Sequence, residues 1–269
     1  MTLPFRAVAF DLDDTLLRDD LSISEYTLRL LRRLSALGIS VIPASGRAQL
    51  SMMPFVKQLE PVPLYISCNG AEIWTGDHTL LQASRFSTEL GKAIAAFGKR
   101  HQCYAQTYDG AYFYYNEESV WARKYAEASM LKGVFVGDLE AYIREPRNKI
   151  LMMNEPEKID AMREEATVLF KDQVSVTSSK PCYLEFNPPG ATKGLALSAA
   201  ARYLNIPLES IIAFGDGLND FPMLDLAGRG VLMANGRDVL KSRVDDVCLS
   251  NQEDGVARYL TDVFHEVLA

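Results

Sequence analysis

The chain has 269 residues, 48% of them hydrophobic, which is enough for one large domain or two ordinary ones with a sizeable core. A net charge of −7, with acidic and basic residues mixed throughout, argues against a nucleic-acid surface, and no apolar run approaches the ~20 residues of a membrane span. The start lacks the basic and apolar segments of a signal peptide, and the four cysteines (Cys68, Cys103, Cys182, Cys248) are too scattered for a zinc or disulfide framework, so a reduced, cytoplasmic protein with no nucleic-acid or membrane partner is expected.

Residues 7–15 read AVAFDLDDT, an apolar strand running directly into Asp11, Asp13 and Asp14. Two carboxylates about 5 Å apart repel by roughly 3 kcal/mol at an effective dielectric of about 20, so a turn that crowds three of them calls for a cation. An EF-hand calcium loop is excluded, because Leu16 stands where that loop needs Gly and Ser22 where it needs Glu. Magnesium suits the turn better, since it takes one or two carboxylates together with water and phosphate oxygens. The next stretch, SISEYTLRLLRRLSALG, predicts a helix capped by Ser24, with Leu28, Leu31, Leu34 and Leu37 on one face and Gly38 just past its end. ISVIPASGR follows as a strand ending in Ser45, Gly46 and Arg47, with Pro43 at its limit because proline lacks a ladder donor. LYISCNGAEIW is a further strand in which Asn69 and Gly70 mark a tight hairpin.

The middle, residues 82–188, has a different texture. YAQTYDGAYFYYNEE is aromatic and strand-like, SVWARKYAEASML is helical, KILMMNE is a strand, and a helix opens near Pro156 before the strands QVSVTSS and CYLEFNP. This segment is expected to be a smaller α/β domain inserted into the first, with Asn187-Pro188-Pro189-Gly190 as the return hinge. Beyond it, Thr192 caps the helix KGLALSAAARYLN, SIIAFGDGLND is again an apolar strand meeting acidic residues, and RGVLMAN and DDVCLS supply two short strands. Residues 1–81 and 189–269 thus predict an α/β core with a Rossmann-like, doubly wound parallel sheet, which binds ligands beyond the carboxyl ends of its strands. Asp11, Asp216 and Asp220 all fall at that edge. A lysine in the first turn of a helix opposes the macrodipole, so Lys193 points to an anionic partner, and the Ser45 hydroxyl and Gly46 N–H are donors that a phosphoryl group needs. The histidines His78, His101 and His265 lie beside no motif, which leaves acid–base work to carboxylates.

In this order Asp11-Leu12-Asp13-Asp14-Thr15, Ser45-Gly46-Arg47, Lys193 and Gly215-Asp216-Gly217-Leu218-Asn219-Asp220 resemble the four motifs of the haloacid dehalogenase-like hydrolase superfamily. CNGAEI before the insertion and LEFNPPGATKGLAL after it are similar to the Cof-type sugar-phosphatase branch with its α/β, type IIB-like cap, while PASGR departs from the family's more usual β-branched residue and Thr. The resemblance implies a phosphatase in which Asp11 attacks phosphorus to form an aspartyl-phosphate and Asp13 serves as acid and then base. It implies Mg2+ held by the Asp11 side chain, the Asp13 backbone carbonyl and Asp216, with Asp220 behind. Leu12 through its backbone, Ser45, Gly46, Lys193 and Asn219 would hold phosphate oxygens. The expected substrate is a small phosphorylated metabolite, a sugar phosphate or a cofactor such as pyridoxal phosphate or FMN. A phosphomutase would use the same aspartates, and a phospho-accepting signalling module would leave the insertion unexplained. The leaving group is expected to be read by Arg47, Asn69 and one alternating pair of the stretch Tyr112, Phe113, Tyr114 and Tyr115.

Overall fold

In the computed structural model, residues 3, 5–110 and 112–268 are described, so the expected core limits at 1 and 269 fall outside them. The first part of the chain forms β1 (Ala7–Phe10), α1 (Glu25–Ala36), β2 (Ser40–Pro43), α2 (Gln49–Leu59), β3 (Leu64–Ser67), β4 (Glu72–Thr75) and β5 (Leu80–Ala83). The middle forms α3 (Thr88–Arg100), β6 (Tyr104–Asp109), β7 (Tyr112–Tyr115), α4 (Val120–Ser129), β8 (Lys132–Phe135), α5 (Leu139–Tyr142), β9 (Ile150–Met153), α6 (Pro156–Leu169), β10 (Ser175–Thr177) and β11 (Tyr183–Asn187). The last part forms α7 (Lys193–Leu204), β12 (Ile211–Gly215), α8 (Phe221–Leu226), β13 (Arg229–Leu232), β14 (Asp246–Val247), α9 (Gly255–Val263) and α10 (His265–Leu268).

The core sheet is parallel throughout, in the order β14-β13-β12-β1-β2. β1 and β12 read as unbroken apolar runs because each is buried on both faces. Val8, Phe10 and Val41 pack on one side with Leu31 and Leu34 of α1, Phe55 of α2 and Leu260 of α9. Ala7, Ala9 and Ile42 face the other side, against Leu197 and Ala200 of α7 and Met223 of α8. β3, β4 and β5 form an antiparallel sheet that joins the edge of β2 through a parallel bridge between Ala44 and Ile66. The inserted segment folds on a six-stranded sheet ordered β10-β11-β9-β6-β7-β8. Ile150, Met152, Leu184 and Phe186 bury one face of it against Phe97 of α3 and Met162 of α6. The other face carries Tyr104, Tyr108, Leu151 and Met153 and meets Ala48, Cys68 and Ala71 of the core.

Local chemistry accounts for most element ends. The Ser24 hydroxyl accepts from Thr27 N–H and the Thr192 hydroxyl from Leu195 N–H, each at the start of its helix. α1 stops at Ala36, so Leu37 lies beyond the apolar face and is 41% exposed, while Gly38 takes φ +84°. Pro43 is the last residue of β2, where its missing donor costs nothing. The β3–β4 connection is wider than a two-residue hairpin: Ser67 pairs with Glu72, and Cys68, Asn69 and Gly70 all have positive φ. Its shape follows from contact with α7, since a Cβ on Gly70 would lie 2.3 Å from the Thr192 carbonyl oxygen. The expected boundary at residue 82 falls inside β5, which pairs with β4, and the chain leaves that sheet at Ser84.

Candidate active site

β1 ends at Phe10, and Asp11 to Leu17 make one wide turn closed by a 2.8 Å bond from Leu17 N–H to the Leu12 carbonyl. Inside it Asp13 leaves helical geometry (ψ 135°) and Asp14 enters the left-handed region (φ 57°), so successive carboxylates point apart. The Asp11 carboxylate is 6% exposed, accepts the Leu12 N–H at 2.7 Å and meets Lys193 Nζ at 2.8 Å. Lys193 comes from the first turn of α7, is fully buried and also meets Asp220 Oδ1 at 2.5 Å. Asp220 fixes the β12 turn, its other oxygen accepting the N–H groups of Asp216 and Gly217 at 3.0 and 2.8 Å. Thr15 completes the ring, donating to Asp216 Oδ1 at 2.9 Å.

Electrostatics here are dominated by burial. It raises the Asp11 carboxyl, and Asp220 adds to the rise more than Lys193 offsets it. Burial and then the Asp220 charge push Asp216 up to about 8. Burial would pull the Lys193 ammonium down, but Asp11 and Asp220 together hold it above its ordinary value. One oxygen each of Asp11, Asp216 and Asp220 lies within 4.8 Å of the other two. Three hard oxygen donors, two of which, Asp11 and Asp216, have their charge disfavoured without a cation, fit a magnesium ion, and no soft ligand is present in the set. Asp13 does not join them by its side chain. Arg47 Nε and Nη2 grip its two oxygens at 2.8 and 2.7 Å, and the same guanidinium donates to Ser51 Oγ and to the Ala128 carbonyl of the inserted domain. Burial acts to raise Asp13, yet the paired Arg47 donors prevail and hold it below the ordinary carboxylate range.

The phosphate-site candidates fall in two layers. Gly46 and Asn219 line the cavity, whereas Leu12, Ser45 and Lys193 lie under it. The Ser45 hydroxyl accepts Arg47 N–H at 3.1 Å, and Gly46 must be small because a Cβ would sit 2.9 Å from Asn69 Oδ1. Asn69 is buried between Asn219, whose amide donates to it at 3.2 Å, and Glu185 of β11, to which it donates at 3.2 Å. It braces the site from behind and does not line the cavity.

The cavity roof comes from the inserted domain: Tyr125, Ala128, Ser129, Lys149, Lys180 and Tyr183 face Asp11, Asp13, Asp14 and Asp216 across it. None of the aromatic stretch reaches it. Phe113 and Tyr115 are buried inside the inserted domain, Tyr114 stacks on Tyr142 at 4.6 Å, and Tyr112 is exposed. β7 lies on the far side of β6 from β9 and β11, the strands whose neighbourhood touches the core, where Lys149 donates to the Gly46 carbonyl and Glu185 accepts from Asn69. Sequence reading missed Lys149 and Glu185, a buried pair at 2.5 Å in which Lys149 also donates to the Gly46 carbonyl at 2.8 Å. Their signal was available: a lysine directly before the apolar run ILMM and a glutamate in the middle of YLEFN are charges where burial makes them costly unless paired. The histidines stay away from the cavity, and all four cysteines are free.

A doubly wound parallel sheet with acidic turns at its carboxyl edge, a buried lysine among them and an inserted α/β roof defines a phosphoryl-transfer site of one class. The chain belongs to the haloacid dehalogenase-like hydrolases, whose family profile matches residues 8–260. Within them it is a Cof-type phosphatase of small phosphorylated metabolites. It is 32% identical to the 5-amino-6-(5-phospho-D-ribitylamino)uracil phosphatase YitU of Bacillus subtilis over 96% of this chain and 97% of that one. Among solved structures it resembles a haloacid dehalogenase-like hydrolase from Bacteroides thetaiotaomicron (27% identity, TM-score 0.86, 97% of this chain and 100% of that one). It also resembles TM0651 from Thermotoga maritima (31% identity, TM-score 0.81, 96% and 97%). Among the described residues no helix is long and apolar enough to cross a membrane.

Proposed function

We propose that the chain hydrolyses phosphate monoesters in two displacements on Asp11, with Mg2+ as cofactor and with residues 84–187 acting as a cap that selects the leaving group. The observation that carries this reading is the meeting, in one cavity, of Asp11 and Asp13 after β1, Gly46 after β2 and Asp216 and Asn219 after β12, with Lys193 within 2.8 Å of Asp11. Asp11, Asp216 and the Asp13 carbonyl would hold the ion, with Asp220 behind, and the bound ion would offset the repulsion between a carboxylate nucleophile and a phosphate.

Lys193, Asn219 and the Gly46 N–H orient the phosphoryl oxygens while an Asp11 oxygen forms a bond to phosphorus. The bond to the leaving oxygen breaks, its electron pair stays on that oxygen, and Asp13 supplies the proton. In the free protein Arg47 keeps Asp13 ionised; an arriving phosphate adds like charge beside it and favours its protonated form. Asp13, now a carboxylate again, takes a proton from water, whose oxygen bonds to phosphorus and releases Asp11. Sugar phosphates, pyridoxal phosphate, FMN and the ribitylaminouracil phosphate for which the Bacillus relative is named form the substrate panel.

Phosphate release from that panel with Mg2+ is the test. Asp11→Asn is expected to lose at least about 10²-fold in kcat/KM and to form no phosphoenzyme, and excess EDTA is expected to stop turnover until Mg2+ is restored. An Asp11→Asn variant within about tenfold of the parent, or full activity in EDTA, would sink the nucleophile or the metal role respectively.

A further inference from the structure

Four cationic side chains gather around the cavity, and three are answered in place: Arg47 by Asp13, Lys193 by Asp11 and Asp220, and Lys149 by Glu185. Lys180 is different. It lines the cavity from the loop between β10 and β11, and among the described residues its ammonium has neither an ion-pair nor a hydrogen-bond partner. The loop itself is held, because the buried Ser178 hydroxyl donates to the Lys180 carbonyl at 2.7 Å and Tyr183 N–H donates to the same oxygen at 2.9 Å. Lys180 is thus a side chain with a fixed root and an ammonium that no carboxylate pairs directly, though Asp13 and Asp14 feel its charge, beside Tyr183, whose hydroxyl is also without a partner among the described residues.

The transferring phosphoryl group is already provided for on the cavity floor, where every candidate donor, Leu12, Ser45, Gly46, Lys193 and Asn219, belongs to the core. Lys180 and Tyr183 belong to the roof, with the rings of Tyr125 and Tyr183 and the side chains of Leu151 and Ala128 as apolar wall. A neutral leaving group closing that space would strip water from an ammonium and give nothing back. An anion there would recover a charge-assisted bond. A site built around such a bond also rejects analogues that lack the partner group.

We propose that Lys180, with Tyr183, forms a leaving-group subsite that selects phosphate monoesters bearing a second anion, a carboxylate or a further phosphate. This deepens the phosphatase reading and rests on it. The competing role is a charge acting on Asp13 and on Asp14, the exposed carboxylate across the cavity, or contact with the transferring phosphoryl group, and any of these would serve every substrate alike.

The test measures kcat/KM for the parent, Lys180→Met and Lys180→Arg on two matched pairs and a minimal donor. The pairs are 3-phosphoglycerate against glycerol 3-phosphate, and fructose 1,6-bisphosphate against fructose 6-phosphate; the donor is acetyl phosphate. The parent is expected to favour the doubly anionic member of at least one pair, which also identifies the anion as carboxylate or phosphate. Lys180→Met is expected to collapse that preference by about 10- to 100-fold, the size of one lost charge-assisted contact, and Lys180→Arg to retain most of it. Thermal unfolding of both variants checks the fold. If the parent turns over acetyl phosphate but the preference is absent, or survives in Lys180→Met whatever the absolute rates, the subsite is refuted and the phosphatase reading stands. If the parent releases phosphate neither from the five compounds nor from the panel tested for the phosphatase reading, that reading falls and the subsite with it; release from the panel alone refutes the subsite only.

Discussion

Arg47→Met would remove a guanidinium that serves two masters, the Asp13 carboxylate and the Ala128 carbonyl of the inserted domain. Its methylene stem is largely matched by Met, so the perturbation is loss of hydrogen bonds more than loss of volume. Hydrogen bonds to charged groups contribute about 1.5–3 kcal/mol each, and one pKa unit corresponds to about 1.4 kcal/mol. Loss of a single Arg47 bond should therefore raise Asp13 by about one unit, and loss of the pair by two or more. The direction is fixed by burial, the largest influence on Asp13 and one that raises it, which is then opposed only by the charges of Lys180 and Lys193. With an activated aryl phosphate the leaving group needs little protonation, breakdown of the phosphoenzyme limits turnover, and kcat falls on the acid side as the proposed base protonates. That acid limb is expected about 2 pH units or more higher in Arg47→Met, with kcat reduced even at its optimum by the looser cap. Arg47→Lys, which keeps the charge but not the two-pronged grip, should lie between. A folded Arg47→Met whose acid limb coincides with that of the parent would refute the reasoning, since Asp13 would then owe its ionisation to something else.

The buried acids predict a pH-dependent stability. Asp11 and Asp216 bind protons more tightly in the folded chain than in the unfolded one, so without metal, stability should fall as pH rises from about 4 to about 8. Mg2+ favours the ionised forms, and its gain in Tm should be larger at pH 8.5 than at pH 5.5; equal gains by calorimetry would contradict this. Lys149→Met strands the Glu185 carboxylate, 2% exposed, and should cost about 3–5 kcal/mol in urea unfolding, most of it recovered in Lys149→Met/Glu185→Leu. If the single variant costs under about 1 kcal/mol, the pair is not buried in solution. Phe113→Ala should destabilise by about 3–5 kcal/mol while Tyr112→Ala stays within about 0.5 kcal/mol, and neither should alter the preference among substrates. A substrate-specific loss in either would return the aromatic stretch to the binding site.

The core was legible because its strands are buried on both faces and so spell themselves as apolar runs, each ending where polar residues become affordable. Asp11, Asp216 and Asp220 sit at such ends, which is why their convergence could be expected from order alone. The roof was less legible. A run such as YFYY announces burial, and at β7 it is the alternate pair Phe113 and Tyr115 that is buried inside the cap. Lys149 and Glu185 announce a polar contact, but only their hydrogen bonds in the folded chain show that the start of β9 and β11 meet Gly46 and Asn69. Lys180 lies in a loop with no periodicity, and its significance depends on what it fails to touch.

β1 stands between β2 and β12, with Ala7 paired to Ser40 on one side and to Ile211 on the other. During synthesis its first neighbour emerges early, whereas its second waits until nearly the whole chain has been made. The cap has no such wait, since all six of its strands lie between Tyr104 and Asn187. The segment inserted within the core is therefore expected to close first, while Val8 and Phe10 remain on a half-built sheet with a bare apolar edge. That interval, set by topology rather than by any weak contact in the finished protein, is where the nascent chain is most exposed to aggregation and chaperone capture.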